Sequence, residues 1–305
     1  MVIGMKHLLK ISDLKKAELE KLLTLAESVK KNPVRYAGKL DGLALALLFE
    51  KASTRTRVSF EVAAQQLGAS SLYLDYVTMQ LSRGESWEDT ARVMSRYVGA
   101  MVARLYKHSD IEQLARYSSI PIINGLTDLE HPCQALSDIF TIRENGLLKK
   151  GKKFVYIGDG AFNMANSLLA AVSQTGMSIT MVCPAKYAPA REYLQFAKRH
   201  TDVEVVSDVR AAVKGADIIY TDVWVSMGQE NEKAERIKNL IGYQVNEELV
   251  KAANPGVKVM HCLPAYRGYE ITGEVISGRH SVIYDQAENR LHLQKALLLT
   301  LLGKA

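Results

Sequence analysis

Hydroxyl and guanidinium side chains are concentrated in Ser53-Thr54-Arg55-Thr56-Arg57, directly after the apolar run from Leu43 to Phe49. The run predicts a strand. Apolar spacing after it predicts a helix with Ser53 near the N-cap and Gly68 beyond the end. A helix N-terminus offers unpaired N–H groups, and arginine forks match phosphate oxygens in two-point contacts. The segment lacks the Gly-x-x-x-x-Gly-Lys pattern of a triphosphate site. We therefore expect it to bind a phosphate carried by a small molecule; the alternative is a capped helix with solvated arginines. The helix prediction rests on the three- and four-residue spacing of Val58 and Val62, with Phe60, Ala63, Ala64 and Leu67.

His131-Pro132-Cys133-Gln134 opens the next candidate site, at the start of a helix predicted from His131 to Asn145. This helix follows an apolar run, so its first residues should lie at the carboxyl edge of a sheet, where open α/β sheets bind ligands. The imidazole of His131 can donate a hydrogen bond to a carbonyl oxygen, and the amide of Gln134 can pair with an NH₂–C=O group. The alternative role of His131 is to cap the helix.

Two further motifs follow apolar runs in the second half of the chain. Asp222 begins a segment that continues to Ser226-Met227-Gly228, and His261-Cys262-Leu263-Pro264 ends another run. The carboxylate of Asp222 is suited to a substrate ammonium, and the charged stretch after Gly228 predicts a long loop able to close as a lid. The alternatives are a capping Asp222, a solvated loop and a Cys262 that only fills the core. Because no His-Asp pair accompanies Cys262, we favour binding over covalent catalysis.

A glycine-rich turn at Gly158-Asp159-Gly160 follows the run that ends at Ile157. It resembles a dinucleotide fingerprint and raises the alternative of an NAD-dependent dehydrogenase. The match is incomplete, because Asn163 replaces the third glycine and the next run ends in Cys183-Pro184 without a ribose-binding acid. A tight turn that presents Asn163 to a small ligand explains the same residues.

These motifs require a scaffold of strands separated by helices. Continuous apolar runs alternating with helical patterns predict parallel sheets covered on both faces. We therefore expect an α/β protein with two doubly wound parallel-sheet domains joined by helices. The expected domains are 1–148, completed by a C-terminal helix in 286–305 that returns to it, and 149–285. The predicted strands are Leu43 to Phe49, Ser71 to Leu74, Ala100 to Ala103, Pro121 to Ile123, Phe154 to Ile157, Ile179 to Cys183, Val203 to Val206, Ile218 to Tyr220 and Val257 to His261.

Composition sets broad limits on function. The 305 residues are 48% hydrophobic, which is ample for large cores. The net charge of +6 suits an anionic substrate, and no basic block or aromatic-interleaved basic stripe supports the rival class, a nucleic-acid-binding module. Three widely spaced cysteines without a C-x-x-C favour neither disulfides nor zinc and fit a reducing cytoplasm. No apolar run approaches the length that spans a membrane.

The four site motifs together resemble the signature set of the ornithine carbamoyltransferases, within the aspartate/ornithine transcarbamylase family. The resemblance spans the whole chain. The motifs Ser53 to Arg57 and His131 to Gln134 are similar to those shared across the family, and imply carbamoyl phosphate as donor. Those around Ser226 and Cys262 resemble the narrower set, and imply ornithine as the acceptor whose δ-amine takes the carbamoyl group to give citrulline.

The resemblance also implies residue roles, an assembly and the absence of any cofactor or metal. The family forms homotrimers or assemblies of trimers, in which the loop from Gln80 to Glu85 reaches a neighbour's site. Catalytic roles are implied for Arg55, Arg104, His131, Asp222 and Cys262. Carbamoyl phosphate binding is implied for Ser53, Thr54, Arg55, Thr56, Gln80, Arg104, His131, Gln134 and Arg290. Ornithine binding is implied for Asn163, Asp222, Ser226, Met227, Cys262 and Leu263.

A sibling transcarbamylase that uses another amine shares the phosphate half of this signature. Putrescine has no α-carboxylate for the segment at Ser226-Met227 to hold. Aspartate is disfavoured because Asp222 would repel its second carboxylate. The sequence therefore favours ornithine and leaves putrescine as the nearer alternative.

Overall fold

The computed structural model describes residues 5–226 and 229–305. The chain forms two compact units, one made of residues 1–140 with 289–305 and the other of residues 141–288. These divisions fall within two helices, whereas the sequence suggested residues 149 and 286. Among the described residues, no helix is both long enough and apolar enough to cross a membrane.

The first unit contains a four-stranded parallel sheet in the order β2-β1-β3-β4. Strand β1 is buried along almost its whole length, whereas β2 is an edge strand with a largely exposed face. The strands are β1 (Ala44–Phe49), β2 (Ser70–Asp75), β3 (Ala100–Arg104) and β4 (Ile122–Leu126). The helices are α1 (Lys16–Lys31), α2 (Pro33–Tyr36), α3 (Thr54–Gln66), α4 (Trp87–Met94), α5 (His108–Tyr117) and α6 (Pro132–Glu144).

The second unit contains a five-stranded parallel sheet in the order β7-β6-β5-β8-β9. Its strands are β5 (Lys153–Ile157), β6 (Ser178–Val182), β7 (Val203–Val206), β8 (Ile218–Thr221) and β9 (Lys258–His261). Its helices are α7 (Asn163–Ser173), α8 (Arg191–Lys198), α9 (Val209–Val213), α10 (Lys233–Leu240), α11 (Glu247–Ala252) and α12 (Gly273–Ser277). The last helix, α13 (Ile283–Leu301), contributes its residues from Asn289 onward to the first unit. The predicted two-sheet parallel fold with a returning C-terminal helix is confirmed.

Helix α3 shows how local sequence sets the start and end of an element and neighbours set its buried face. Ser53 is the N-cap, as predicted, and Gly68 follows the helix with a positive φ of 93°. Phe60, Ala63 and Ala64 of the apolar pattern are buried, whereas Val58 is 49% exposed. Val58 lies on the side of the helix opposite the buried Thr56, because residues two positions apart are about 200° apart around the axis.

The charged stretch after Gly228 also differs from the prediction of a long loop. A 3₁₀ turn over Glu230–Glu232 leads directly into α10. Glu232 and Arg236 form an i,i+4 ion pair of 2.9 Å between Oε2 and Nε, which supports a helix on this stretch. The high charge marked a helix rather than an irregular loop.

The N-terminal segment is held against β4 by a histidine that stays neutral. The amide of Ile122 donates to His7 Nδ1 at 3.1 Å. Burial, then the charge of Lys6, lowers the pKa of His7 from 6.5 to about 4. Because the unfolded chain binds this proton below pH 6.5 and the folded chain does not, the stability contributed by neutral His7 is lost as pH falls from 6.5 toward 4.

We therefore expect His7→Asn, which keeps an acceptor for the Ile122 amide, to reduce the loss of stability between pH 7 and pH 5. Urea unfolding of both proteins at the two pH values measures this difference. An identical pH dependence in the two proteins would contradict it.

Candidate active site

The first group of site residues lies at the ends of two adjacent strands of the first unit. Phe49 at the end of β1 is the register partner of Arg104 at the end of β3, and the amide of Glu50 donates to the Arg104 carbonyl at 2.9 Å. The chain passes from β1 through Ser53 into α3. Helix α3 therefore starts just after the strand whose end pairs with Arg104. Arg104 is buried while Arg55 is exposed in the first turn of α3. Cations in the first turn of a helix oppose its dipole, so an anion is the ligand that compensates them.

A chain of hydrogen bonds joins α3, α6 and α13 in the same unit. Ser53 Oγ accepts from the Thr56 amide at 3.3 Å and donates to Thr56 Oγ1 at 3.1 Å. Arg290 donates to Thr56 Oγ1 at 2.9 Å and to Gln134 Oε1. The Gln134 amide nitrogen in turn donates to Asp138 Oδ1 at 2.8 Å. All the residues of this chain except Ser53 are buried. The structure therefore brings together Ser53, Thr56, Gln134 and Arg290, which come from three segments far apart in the sequence.

His131 precedes α6 and is a neutral imidazole. Burial lowers its pKa well below the usual value, and the positive charges of Arg290, Arg104 and Arg55 lower it further. All three guanidiniums thus act on the pKa of the same ring. A neutral imidazole among arginines can donate one N–H to a carbonyl oxygen without adding a charge that would have to be compensated.

Gln80 and Cys133 differ from the residues described above in their surroundings. Gln80 begins the exposed 3₁₀ turn Gln80–Arg83, and no hydrogen bond joins its side chain to the cluster within the described ranges. Cys133 is fully buried, and its thiol donates to the Asn124 carbonyl at 3.3 Å. Burial raises the pKa of Cys133 to about 12, so it is an inert core thiol.

The second group lies at the ends of three adjacent strands in the second unit. Ile157 of β5 pairs with Thr221 of β8, and Thr221 pairs with His261 of β9. Asp222 and Cys262 are the next residues along the chain, and Cys262 Sγ donates to Asp222 Oδ1 at 3.0 Å. The same oxygen accepts from the Val223 amide at 2.8 Å. Asp222 and Cys262 are therefore together, as the strand-end argument predicted.

Asp222 is a buried carboxylate next to several polar groups. Burial raises its pKa above the usual value, while His261, the Cys262 thiol and the Val223 amide each lower it. An ammonium group placed beside it would add an opposite charge and favour the ionised form. The arrangement is therefore suited to a cationic ligand.

Donor atoms of Asp222, His261 and Cys262 all lie within 4.8 Å of one another, which is compact enough for a metal ion. Both His261 nitrogens are engaged, however: Nδ1 accepts from the Leu263 amide at 2.9 Å and Nε2 lies 3.0 Å from Glu270 Oε1. The Cys262–Asp222 hydrogen bond and the pairing of β8 with β9 account for the closeness of the three side chains, and a metal would have to displace the bonds of His261.

His261 and Glu270 fix the turn that carries Cys262 and Leu263. Leu263 has a positive φ of 60°, which a branched residue adopts only when its surroundings impose it. The bond from its amide to His261 supplies that restraint, and Glu270 Oε1 also accepts from the Tyr266 amide at 2.6 Å. Sequence reasoning missed Glu270, because nothing in its local pattern distinguishes it from a surface acid.

The glycine-rich turn after β5 is packed against protein. A Cβ on Gly160 would lie 2.8 Å from the Tyr187 carbonyl and 3.2 Å from Cys183 Sγ. Gly160 therefore permits close packing of residues 183–189. Because these residues cover the glycine, it has no role in contacting a pyrophosphate. Asn163 starts α7 and is buried. The turn thus serves to place Asn163, and the dehydrogenase alternative loses its main support.

The Ser226 segment follows β8 and Asp222. The Ser226 amide donates to Gln229 Oε1 at 3.1 Å, and the Gln229 amide donates to the Ser226 carbonyl at 3.0 Å. Ser226 is half-buried. Met227, which the sequence placed in the ornithine group, lies outside the described residues.

Comparison with known proteins agrees with this arrangement. Residues 6–144 match the model of the aspartate/ornithine carbamoyltransferase carbamoyl-P binding domain, and residues 150–301 match that of the Asp/Orn binding domain. The chain is 52% identical over 305 residues to an ornithine carbamoyltransferase from Archaeoglobus fulgidus, covering 98% of each chain.

Solved structures give the same result. The ornithine carbamoyltransferase from Pyrococcus furiosus superposes with a TM-score of 0.94 at 46% identity, covering 99% of both chains. The anabolic ornithine carbamoyltransferase from Campylobacter jejuni has a TM-score of 0.93 at 40% identity, covering 99% of this chain and 100% of that one. The motifs that resemble those of the transcarbamylases lie at the strand ends. Together with these full-length matches, they show that the chain belongs to the aspartate/ornithine carbamoyltransferase family.

Proposed function

We propose that this protein is an ornithine carbamoyltransferase, which transfers the carbamoyl group of carbamoyl phosphate to the δ-amine of L-ornithine and releases citrulline and phosphate. The observation that carries the proposal is the 52% identity, over the whole chain, with a protein of that name. The two groups of strand-end residues supply the chemistry that such a transfer requires.

The first unit is proposed to bind carbamoyl phosphate. The start of α3 and the nearby arginines match a phosphate in charge and geometry. Arg290 is already anchored on Thr56 and Gln134, so its guanidinium is held in place before the ligand arrives. His131 donates to the carbonyl oxygen with Arg55 and Arg104, and Gln134 orients the carbamoyl NH₂. Ser53, Thr54, Thr56 and Gln80 complete the set, within the expected domain 1–148 with 286–305.

The second unit is proposed to bind ornithine, within the expected domain 149–285. Asp222 offers a carboxylate to an ammonium group, and the Cys262-Leu263 turn is held rigid by His261 and Glu270. Asn163, Ser226 and Met227 are assigned with Asp222 to the α-amino and α-carboxylate end of ornithine. Cys262 and Leu263 are assigned to its side chain and δ-amine.

The reaction needs no covalent enzyme intermediate. A neutral δ-amine attacks the carbonyl carbon, and the tetrahedral oxyanion collapses with loss of phosphate. Hydrogen-bond donors aimed at that oxygen stabilise the transition state by several kcal/mol. The departing phosphate can accept the amine proton. Because ornithine must first lose its δ-proton, the rate rises with pH until free amine dominates.

The acceptor is tested by supplying carbamoyl phosphate with ornithine, putrescine or aspartate in parallel and measuring each carbamoylated product. We expect a strong preference for ornithine. Preferred use of putrescine would retain the phosphate half of the proposal and overturn the acceptor half. Failure of all three amines would overturn both halves.

We also propose that the protein assembles as a homotrimer with shared active sites. Large apolar side chains of the first unit are exposed: Leu72 on β2 is 49% exposed, Val77 just after β2 is 74% exposed, and Tyr97 between α4 and β3 is 73% exposed. Contact with a second copy would bury them. Gln80 lies three residues after Val77, on the same exposed stretch.

Shared sites predict complementation between inactive variants. Arg55→Ala subunits mixed with Gln80→Ala subunits form some sites with both residues intact, so part of the activity returns. The recovered rate is compared with that of each unmixed variant. No recovery in mass-verified mixed trimers would count against sharing.

A reducing cytoplasm is the proposed location. Cys133, Cys183 and Cys262, all within the described residues, form no disulfide, as expected where disulfides are not maintained.

A further inference from the structure

A buried ion pair in the second unit has no role in the functions described so far. Arg236 donates to Asp159 Oδ2 at 2.6 Å, and the two side chains are only 8% and 5% exposed. Asp159 is held from the other side, because its Oδ1 accepts from the Ala161 amide at 2.9 Å. Burying two charges is costly unless geometry and further hydrogen bonds compensate. Such a pair in a small-molecule enzyme therefore requires an explanation.

The two residues belong to the two segments that carry proposed ornithine contacts. Asp159 lies in the turn between β5 and α7, four positions before Asn163. Arg236 lies on α10, the first helix after the segment that contains Ser226. The ion pair thus connects α10, the helix that follows the segment containing Ser226, to the turn that places Asn163.

The other end of the Ser226 segment is also fixed. Trp224, two positions before Ser226, is buried in a small apolar cluster with Tyr187 and Leu240. Leu240 is the last residue of α10, and the Arg236 guanidinium lies 5.1 Å from the centre of the Tyr187 ring. One cluster therefore holds Trp224, while the ion pair holds α10. Protein contacts therefore hold Trp224 before Ser226 and α10 after it.

We propose that the Arg236–Asp159 ion pair is a latch that positions the Ser226 segment relative to Asn163, and that both residues are positioning residues for ornithine. The latch rests on the proposed assignment of Ser226 and Asn163 to ornithine. Neither charge touches substrate in this proposal. The pair acts by fixing α10, and the hydrogen bonds from the Glu232 amide to the Gln229 carbonyl and between Gln229 and Ser226 extend that restraint to Ser226.

Of the two acidic partners of Arg236, Asp159 is the one that positions the Ser226 segment. Glu232 also bonds to Arg236, at 2.9 Å, but it is exposed and lies on the same chain segment. It orients the guanidinium without linking α10 to the glycine turn. Among the residues that the structure describes, Asp159 is the partner through which this arginine contacts the turn before Asn163. The latch therefore predicts a defect specific to the amine substrate.

The test is steady-state kinetics on Arg236→Gln, Asp159→Asn and the double variant. We expect the KM for ornithine to rise about 10- to 100-fold, as a small misplacement of a binding group produces. The KM for carbamoyl phosphate should stay close to that of the parent. Arg236→Lys, which keeps the charge, should recover part of the loss.

The double variant separates positioning from stability. Each single variant leaves a buried charge without its partner and should unfold at lower temperature, whereas the double variant removes both charges and should recover stability. If the latch positions Ser226, the double variant keeps the high KM for ornithine despite that recovery. A double variant with parental KM and parental stability would overturn the proposal, as would an equal rise in both KM values.

A matched control comes from the adjacent residue on α10. Glu235 pairs with Lys186 in an exposed ion pair, so Glu235→Gln removes a bridge from the same helix without touching the buried one. Its KM for ornithine should equal that of the parent. Parental KM values in Ser226→Ala and Asn163→Ala would instead overturn the ornithine assignment, which keeps that failure distinct from failure of the latch.

Discussion

Arg55→Ala is expected to lower kcat/KM for carbamoyl phosphate by about 10²- to 10³-fold while leaving the protein folded. Loss of one donor to a developing oxyanion typically has an effect of this size. Arg55 is exposed in the first turn of α3, and its charge is felt at buried His131. The Ser53–Thr56 bond that caps the helix does not involve it. Initial rates over a range of carbamoyl phosphate concentrations measure the effect.

The thermal stability of the free Arg55→Ala protein should be unchanged or slightly raised. A cation in the first turn of a helix opposes the macrodipole, so its removal relieves an unfavourable interaction. Activity and stability are therefore expected to move in opposite directions, which is typical of a residue retained for binding. A large fall in the unfolding temperature would indicate that Arg55 supports the fold.

Arg57→Ala is the matched control on the same helix. Arg57 bonds to Glu61 at 2.9 Å and its guanidinium lies 3.9 Å from the centre of the Tyr73 ring, so its charge is engaged by protein. Exposed pairs of this kind contribute less than about 1 kcal/mol. We expect near-parental kinetics, and equal losses in Arg57→Ala and Arg55→Ala would contradict the assignment of the phosphate site to Arg55.

Asp222→Asn is expected to lower kcat/KM for ornithine by about 10²-fold, equivalent to about 2.7 kcal/mol of transition-state stabilisation. Asparagine keeps the size of the side chain and an acceptor for the Val223 amide and the Cys262 thiol, and removes only the charge that attracts an ammonium. The KM for carbamoyl phosphate should not change. Kinetics with each substrate varied in turn separate the two effects.

The free Asp222→Asn protein should be as stable as the parent or more so. Burial raises the pKa of Asp222, which means that the environment opposes its charge in the absence of ligand. Removing the charge relieves that cost. A parental kcat/KM for ornithine would remove Asp222 from the acceptor site.

Asp217→Asn is the control at the other end of the same strand. Asp217 immediately precedes β8 and is bonded to Lys152 at 2.8 Å, to the Lys153 amide at 2.9 Å and to Asn254 at 3.0 Å. Loss of its charge should lower stability because a partly buried cation loses its partner. The kinetics should remain parental, since Asp217 lies at the amino end of β8, opposite the carboxyl end that carries Asp222.

The sequence predicted the elements well because the signals for them are local. A continuous apolar run flanked by turn residues indicates a strand of a parallel sheet, and each predicted strand begins within one residue of an observed strand start. Ser53 and Gly68 delimit α3 for similarly local reasons, namely a side-chain acceptor and a backbone with positive φ. Val58 belongs to the apolar pattern of the helix and is still exposed, because neighbouring segments decide which helix face is covered.

By itself, the sequence determined the parallel two-sheet fold, the strand-end location of the motifs and, through resemblance, the family. Only the tertiary structure decided which side chains meet. Arg290 and Thr56 are 234 positions apart, and Arg236 and Asp159 are 77 apart. Such pairs depend on the strand orders β2-β1-β3-β4 and β7-β6-β5-β8-β9. Propensity and periodicity act over a few residues, whereas strand order is set by the packing of whole elements, so a single sequence carries no local signal for it.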